Sequence, residues 1–361
     1  MDAIARVETF PLRIPFRPGA GPDAGRPTVD SLLVKVTTSQ GVTGWGEAFC
    51  FEAAAMARHA VEDLISPLCL GRDATRIGPL MREIAVRLQV FGRGGTVIHA
   101  LSAVDTALWD IAARTAGLPL HRLLGGGGPD LPCYASLDPL GEEPLVRAGV
   151  RDALDAGFRA VKLHEKEPQV VRAARSEAGE GTTLMLDVNC AWTLGQAWQA
   201  AGELSGTGLR WLEEPVWPPE NFAGLAALRA GCGIPLAAGE NVATLMDFDR
   251  LMNAGAVDVV QPSPAKMGGV TELCKVFPVA AVRNVAVLPH TFYHGPGLLA
   301  AIQVTAALGT VDAMIEWRHS PLEALPYGDA VVPVDGRIAV PQGPGLGAEP
   351  DPDVVRRYLA G

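Results

Sequence analysis

From residue 133 onward the chain alternates short apolar runs with longer amphipathic stretches, the runs falling at 133–136, 160–164, 184–188, 210–214, 235–239, 257–261, 285–289 and 313–317. Strands covered on both faces read as near-continuous apolar segments, and strands separated by helix-length segments pair in parallel through crossovers. Eight of them predict a parallel β/α barrel with its functional residues at the C-terminal strand ends. Upstream the period changes. A strand near 3–12 precedes a hairpin formed by 31–37 and 42–48 around Ser39, Gln40 and Gly41. The Pro- and Gly-rich stretch 15–27 reads as a loop, and apolar residues recurring at three and four predict helices over 53–65, 77–90 and 97–116. Beyond residue 320 the alternation gives way to Gly and Pro, with a short helix over 353–359. This tail is expected to fold back across the N-terminal module.

A β/α barrel takes roughly 200 to 250 residues, so a chain of 361 leaves room for a second module. The pattern divides it into an N-terminal α+β unit (1–124), a barrel (125–320, entered through the glycine run 125–128) and the tail (321–361). Hydrophobic residues make up 48% of the chain and charged residues 19%, which permits a substantial core. The net charge of −10, with no Lys/Arg cluster, argues against a nucleic-acid partner, because phosphate contacts need grouped cations. Six scattered cysteines without a CxxC pair point to unpaired thiols in a reducing compartment. The N-terminus lacks the features of a signal peptide and no apolar run approaches a membrane span, so no membrane partner and a cytoplasmic location are expected.

Chemistry gathers at the strand ends. Asp187, Glu213 and Glu240 close three successive runs at intervals of one strand plus one crossover helix, so their carboxylates can converge at the barrel mouth. Converging hard oxygen ligands suit a divalent cation, Mg²⁺ before others. Each acid alone would read as a salt-bridge partner or helix cap, and Lys162 alone as a Schiff-base lysine; the ordered set favours the metal. Lys162 and His164 lie two apart on one strand and face the same side. Ser136, Asn189, Ser263, His290 and Glu316 complete the ring.

The ordered motifs KLH, LDVN, LEEP, AAGEN, AKMGG, LPH and IEW, with the earlier VDTALWDIAARTAGLPLHRLLGG, resemble the mandelate racemase and muconate lactonizing branch of the enolase superfamily, from about residue 32 to residue 317. The resemblance implies an α/β fold: a modified (β/α)7β TIM-type barrel under an α+β capping domain formed by the N-terminal segment and the C-terminal tail. It implies homo-oligomers and a small-molecule carboxylate substrate. It makes Asp187, Glu213 and Glu240 the Mg²⁺ ligands, with Glu213 preferred to Glu214, and abstraction of the proton α to a carboxylate the chemistry.

Two departures from the racemase pattern bear on the outcome. His164 stands where the racemase-like base is a second lysine, and is the expected base, with Lys162 orienting the substrate carboxylate or acting as the alternative base. Ser263 stands where an aspartate would partner His290, so His290 fits a general acid better than a second base. Glu316, Asn189 and Ser136 are expected to bind substrate or intermediate, with bracing of His290 the alternative for Glu316. The pattern resembles sugar-acid dehydratases and sugar-lactone cycloisomerases, and β-elimination to a 2-keto-3-deoxy acid ranks above epimerisation or racemisation. A metabolite-binding barrel without catalysis is the non-enzymatic alternative.

Overall fold

The computed structural model describes residues 2–17 and 27–360. Strands β1 (Ile4–Pro15), β2 (Thr28–Thr38) and β3 (Thr43–Ala48) form an antiparallel sheet in that order. The first strand runs past its expected end, and β1 tolerates its prolines because it lies at the sheet's edge. Most of the loop expected over 15–27 lies outside the described residues. Helix α1 (Ala54–His59) widens into a π-turn over Ala60–Ile65 before α2 (Ser66–Cys69), and α3 (Ile77–Arg87), α4 (Thr96–Thr115) and α5 (Leu120–Leu123) follow.

The glycines of GWGE explain how α4 meets the sheet. A Cβ at Gly46 would lie 1.8 Å from the Ala103 carbonyl oxygen and one at Gly44 2.2 Å from that of Ala107, so strand and helix touch backbone to backbone. The two aspartates of α4 tie this unit to everything else. Asp105 accepts the Thr271 N–H at 2.9 Å, while Asp110 accepts those of Trp45 at 2.9 Å and Leu346 at 2.7 Å.

The barrel follows as β4 (Asp130–Ser136), α6 (Glu143–Asp155), β5 (Ala160–Leu163), α7 (Pro168–Ala178), β6 (Thr183–Asp187), α8 (Leu194–Glu203), β7 (Leu209–Glu213) and α9 (Phe222–Gly231). It continues as β8 (Leu236–Ala238), α10 (Leu245–Asn253), β9 (Val259–Val260), α11 (Gly269–Val282), β10 (Ala286–Val287), α12 (Pro296–Leu308) and β11 (Ile315–Arg318). The strands are parallel in the order β11-β4-β5-β6-β7-β8-β9-β10, which is the expected eight-stranded, seven-helix architecture. Local caps start the helices on time: Thr193 and Gln196 form a capping box on α8, and Asn221 and Thr244 cap α9 and α10.

Strands β9 and β10 are shorter than their apolar runs. Pro262 and Pro289 carry no N–H for the ladder, and the chain leaves it there to present Ser263 and His290. Among the described residues β10 and β11 share no ladder; Thr291 joins them instead, donating its N–H to the Glu316 carboxylate at 2.8 Å and its hydroxyl to the Glu316 carbonyl at 2.5 Å. Tyr134, Met185, Trp211, Val259 and Leu288 fill the barrel below the mouth.

The tail touches both layers. A three-residue strand hidden in its Gly/Pro composition, β12 (Arg337–Ala339), pairs antiparallel with β4. Helix α13 (Pro352–Tyr358) brings Val355 into a cluster with Leu12, Ile14, Leu33 and Trp45 of the N-terminal sheet. No helix of the described residues is long and apolar enough to cross a membrane.

Candidate active site

Asp187 ends β6, Glu213 ends β7 and Glu240 follows β8, and one carboxylate oxygen of each lies within 4.8 Å of the others. Asp187 and Glu213 are buried. Burial, then the Asp187 charge, pushes the Glu213 carboxyl well above its ordinary range, the mark of a site with more negative than positive charge. Glu214 turns away at φ 44° and is hydrogen-bonded by Asn241 at 2.7 Å and by the Cys190 thiol at 3.3 Å. The donors of the trio are all hard oxygens on rigid strand ends, and the excess negative charge is what a hard divalent cation neutralises, so these residues fit such an ion.

Lys162 lies beneath the trio. Its ammonium reaches Glu213 at 2.7 Å, Glu316 at 2.8 Å and Asp187 at 3.2 Å, is wholly buried and does not line the cleft. Burial opposes its charge, but the surrounding carboxylates outweigh burial and hold its pKa well above the ordinary lysine range. In this arrangement Lys162 lies one layer below the cleft that His164 lines.

His164 lines the cleft. Its Nδ1 lies 2.5 Å from the Leu137 carbonyl oxygen, which only an N–H can satisfy, so Nε2 is the nitrogen that gains or loses the proton; when protonated it donates to Asp187, 3.2 Å away. Burial and Lys162 disfavour its charge, but Asp187 outweighs both and raises its pKa. A cation on Asp187 would weaken that pull.

His290 faces the trio from the opposite side, with Nε2 2.7 Å from Glu240 and Nδ1 3.3 Å from the Ser263 hydroxyl. Ser263 is itself held by the Tyr293 hydroxyl at 2.9 Å. The place of the expected aspartate is thus taken by a neutral hydroxyl that orients the ring through Nδ1. Glu316 is buried away from the cleft and braces the strand end that carries His290 through Thr291. Ser136 is likewise buried off the cleft, its hydroxyl without a hydrogen-bond partner. Neither lines the cleft. Asn189 is exposed at the mouth, at φ 47°, and its N–H donates to Asp187 at 2.8 Å.

Two family models match the chain: the mandelate racemase / muconate lactonizing enzyme N-terminal domain over 5–125, and the enolase C-terminal domain-like model over 145–354. The chain belongs to the mandelate racemase / muconate lactonizing enzyme family. It is an enzyme of the enolase superfamily, and its relatives are named sugar-acid cycloisomerases and dehydratases. It is 30% identical to the 3,6-anhydro-alpha-L-galactonate cycloisomerase of Streptomyces coelicolor over 99% of both chains. It is 29% identical to the D-galactarolactone cycloisomerase of Agrobacterium fabrum, covering 91% of this chain and 90% of the relative. The crystal structure of the 3,6-anhydro-D-galactonate cycloisomerase from Zobellia galactanivorans superposes with a TM-score of 0.88 at 29% identity, covering 99% of this chain and 100% of that one.

In this family member the cleft above the trio encloses about 750 Å³ between the barrel mouth and the N-terminal sheet. Residues 48–52 form part of its wall and Phe16 and Pro27 also line it; 18–26 lie outside the described residues. The N-terminus of α12 opens at Gly295 on the cleft wall. Glu47 already occupies it, accepting the Gly297 N–H at 3.0 Å, and burial raises its pKa to about 7. His99 braces the same wall, its Nδ1 3.1 Å from the Phe49 carbonyl oxygen. Sequence reasoning passed over Asp138 and Arg318, although each stands two residues beyond a named strand-end residue and shares its face.

Proposed function

We propose that this enzyme is a Mg²⁺-dependent lyase or cycloisomerase of sugar acids. The observation that carries the reading is the placement of two differently partnered histidines, His164 and His290, on either side of a three-carboxylate site. Asp187, Glu213 and Glu240 would hold the cation, which when bound supplies positive charge where the substrate carboxylate gains negative charge.

His164 Nε2 takes the proton from the carbon α to the carboxylate, its other nitrogen being committed to Leu137. The C–H electron pair moves into the carboxylate as an enediolate, beneath which the buried Lys162 ammonium supplies fixed charge. The enediolate then expels the oxygen on the β-carbon, and His290 donates the proton that this oxygen needs to leave. The resulting enol tautomerises to a 2-keto-3-deoxy acid. An oxygen that leaves as water makes the reaction a dehydration, and one that stays tethered through a ring makes it a cycloisomerisation.

Elimination needs a base and an acid, whereas racemisation needs two bases of matched strength. Both rings turn Nε2 to a carboxylate of the trio, but Nδ1 of His164 is held by the Leu137 carbonyl oxygen and Nδ1 of His290 by the Ser263 hydroxyl, an unlike pair of partners that favours elimination. Relatives named for sugar-acid dehydration and cycloisomerisation favour the same substrates. Incubation of aldonates, their lactones and anhydro-acids with enzyme and Mg²⁺ should release 2-keto acid, and inversion at the α-carbon as the sole product would replace this reading with an epimerase. Chelation of the metal should lower turnover by about 10³-fold, the loss of several kcal/mol of charge stabilisation, and restored Mg²⁺ should recover it. Undiminished turnover in excess chelator would remove the cation from the reaction.

A further inference from the structure

The end of the cleft away from the trio is built from ion pairs. Arg318 stands two residues beyond Glu316 on β11, so both side chains face the barrel interior. Its Nη2 donates to Asp138 at 2.7 Å, and its Nε donates to the same oxygen at 3.2 Å and to Ser320 at 3.0 Å. The Ser320 hydroxyl donates to the other oxygen of Asp138. The Arg318 guanidinium sits over the Phe292 ring, 4.2 Å from its centroid, and the His164 ring centroid lies 5.1 Å from that of Phe292. Arg318 is therefore about one aromatic ring away from the base. It lines the cleft at only 8% exposure, and its Nη1 has no protein partner among the described residues.

Arg13 and His294, which also line the cleft, are respectively neutralised and neutral. Arg13 forms a two-point pair with Asp30 at 3.0 and 3.2 Å. His294 has its Nε2 3.0 Å from the Arg318 carbonyl oxygen, and burial followed by the Arg318 charge lowers its pKa to about 4. Near pH 7 it is thus a neutral ring that donates from Nε2 and accepts at Nδ1. Lys266 is a cation of the opposite end, 3.6 Å from Glu240.

We propose that this end of the cleft binds an uncharged polyhydroxy tail, so that the substrate carries a single carboxylate, as an aldonate or its anhydro ring form, and that the Arg318–Asp138 pair sets this choice. A hydroxyl can accept from Nη1 and donate to Asp138 or His294, completing the hydrogen bonding of every group there. A second carboxylate would compete with Asp138 for one buried guanidinium and leave two like charges in contact. The proposal rests on the sugar-acid reading above and narrows it.

Matched aldonate and aldarate pairs of galacto, gluco and manno configuration differ only in oxidation at the far carbon, and are the probes. Calorimetric binding and α-deuterium exchange would be followed with the Mg²⁺-loaded enzyme. The wild-type enzyme should bind the preferred aldonate about tenfold more tightly than its aldarate, the scale of one unfavourable charge contact. Asp138→Asn, which frees the guanidinium charge while keeping an acceptor, should reverse or erase that ratio. Arg318→Lys should raise KM for the aldonate more than it lowers kcat, since this end positions the substrate. Equal or tighter aldarate binding by the wild-type enzyme, a ratio unmoved by Asp138→Asn, or no binding of either member of any pair would overturn the proposal. Aldonate-selective binding without exchange would support the charge selection while overturning the elimination chemistry.

Discussion

With His164 replaced by asparagine, exchange of the substrate α-hydrogen in heavy water should fall by about 10³-fold, whereas replacing His290 by asparagine should leave exchange in place and stop 2-keto acid formation. The asymmetry comes from the hydrogen bonds. His164 has Nδ1 fixed as a donor on a carbonyl oxygen, so in the neutral ring Nε2, turned to the trio, is the nitrogen that can take a proton. His290 is oriented by a hydroxyl that can either donate or accept, and is suited to delivering a proton after the C–H bond has broken. Asparagine keeps a polar group of similar reach at each position, so folding should survive, and unchanged circular dichroism and melting would verify that. Loss of exchange in the His290 variant with its retention in the His164 variant would reverse the assignment. Loss in both would point to two bases and to epimerisation.

The sequence made the barrel legible because its strands are buried on both faces and so remain short apolar runs between helices, and because Asp187, Glu213 and Glu240 recur with that same period. Less legible was which strand-end residues reach the cleft. Lys162 and Glu316 occupy strand-end positions as His164 does, yet both are sealed beneath the trio, because each is consumed by the other's charge. Depth along a strand cannot be read from period two alone, which gives the face but not the layer. Arg318 and Asp138 escaped notice for the converse reason: they belong to the layer above the recognised one, and their pairing is made between β11 and the segment after β4, the first and last strands of the barrel. Strand β12 was hidden because three residues carry no detectable alternation.

Replacing Lys162 with methionine should separate structural charge from chemistry, because it removes the one cation that three buried carboxylates share. Uncompensated buried charge costs about 3 to 5 kcal/mol, so the metal-free variant should melt at a clearly lower temperature. The sign with pH is defined: a lysine held above its ordinary pKa of about 10.4 contributes its full stabilisation below that value and loses it only as pH rises through the folded pKa, so the deficit should be complete at neutral pH. Mg²⁺ should then bind the variant more tightly than it binds the wild-type protein, because Asp187 and Glu213 have lost a competing cation, and it should recover part of the lost stability. Exchange of the α-hydrogen should fall less than in His164→Asn, since Lys162 supplies fixed charge from below and does not line the cleft. A variant that keeps wild-type stability and metal affinity but loses all exchange would make Lys162 the base and relegate His164 to its support.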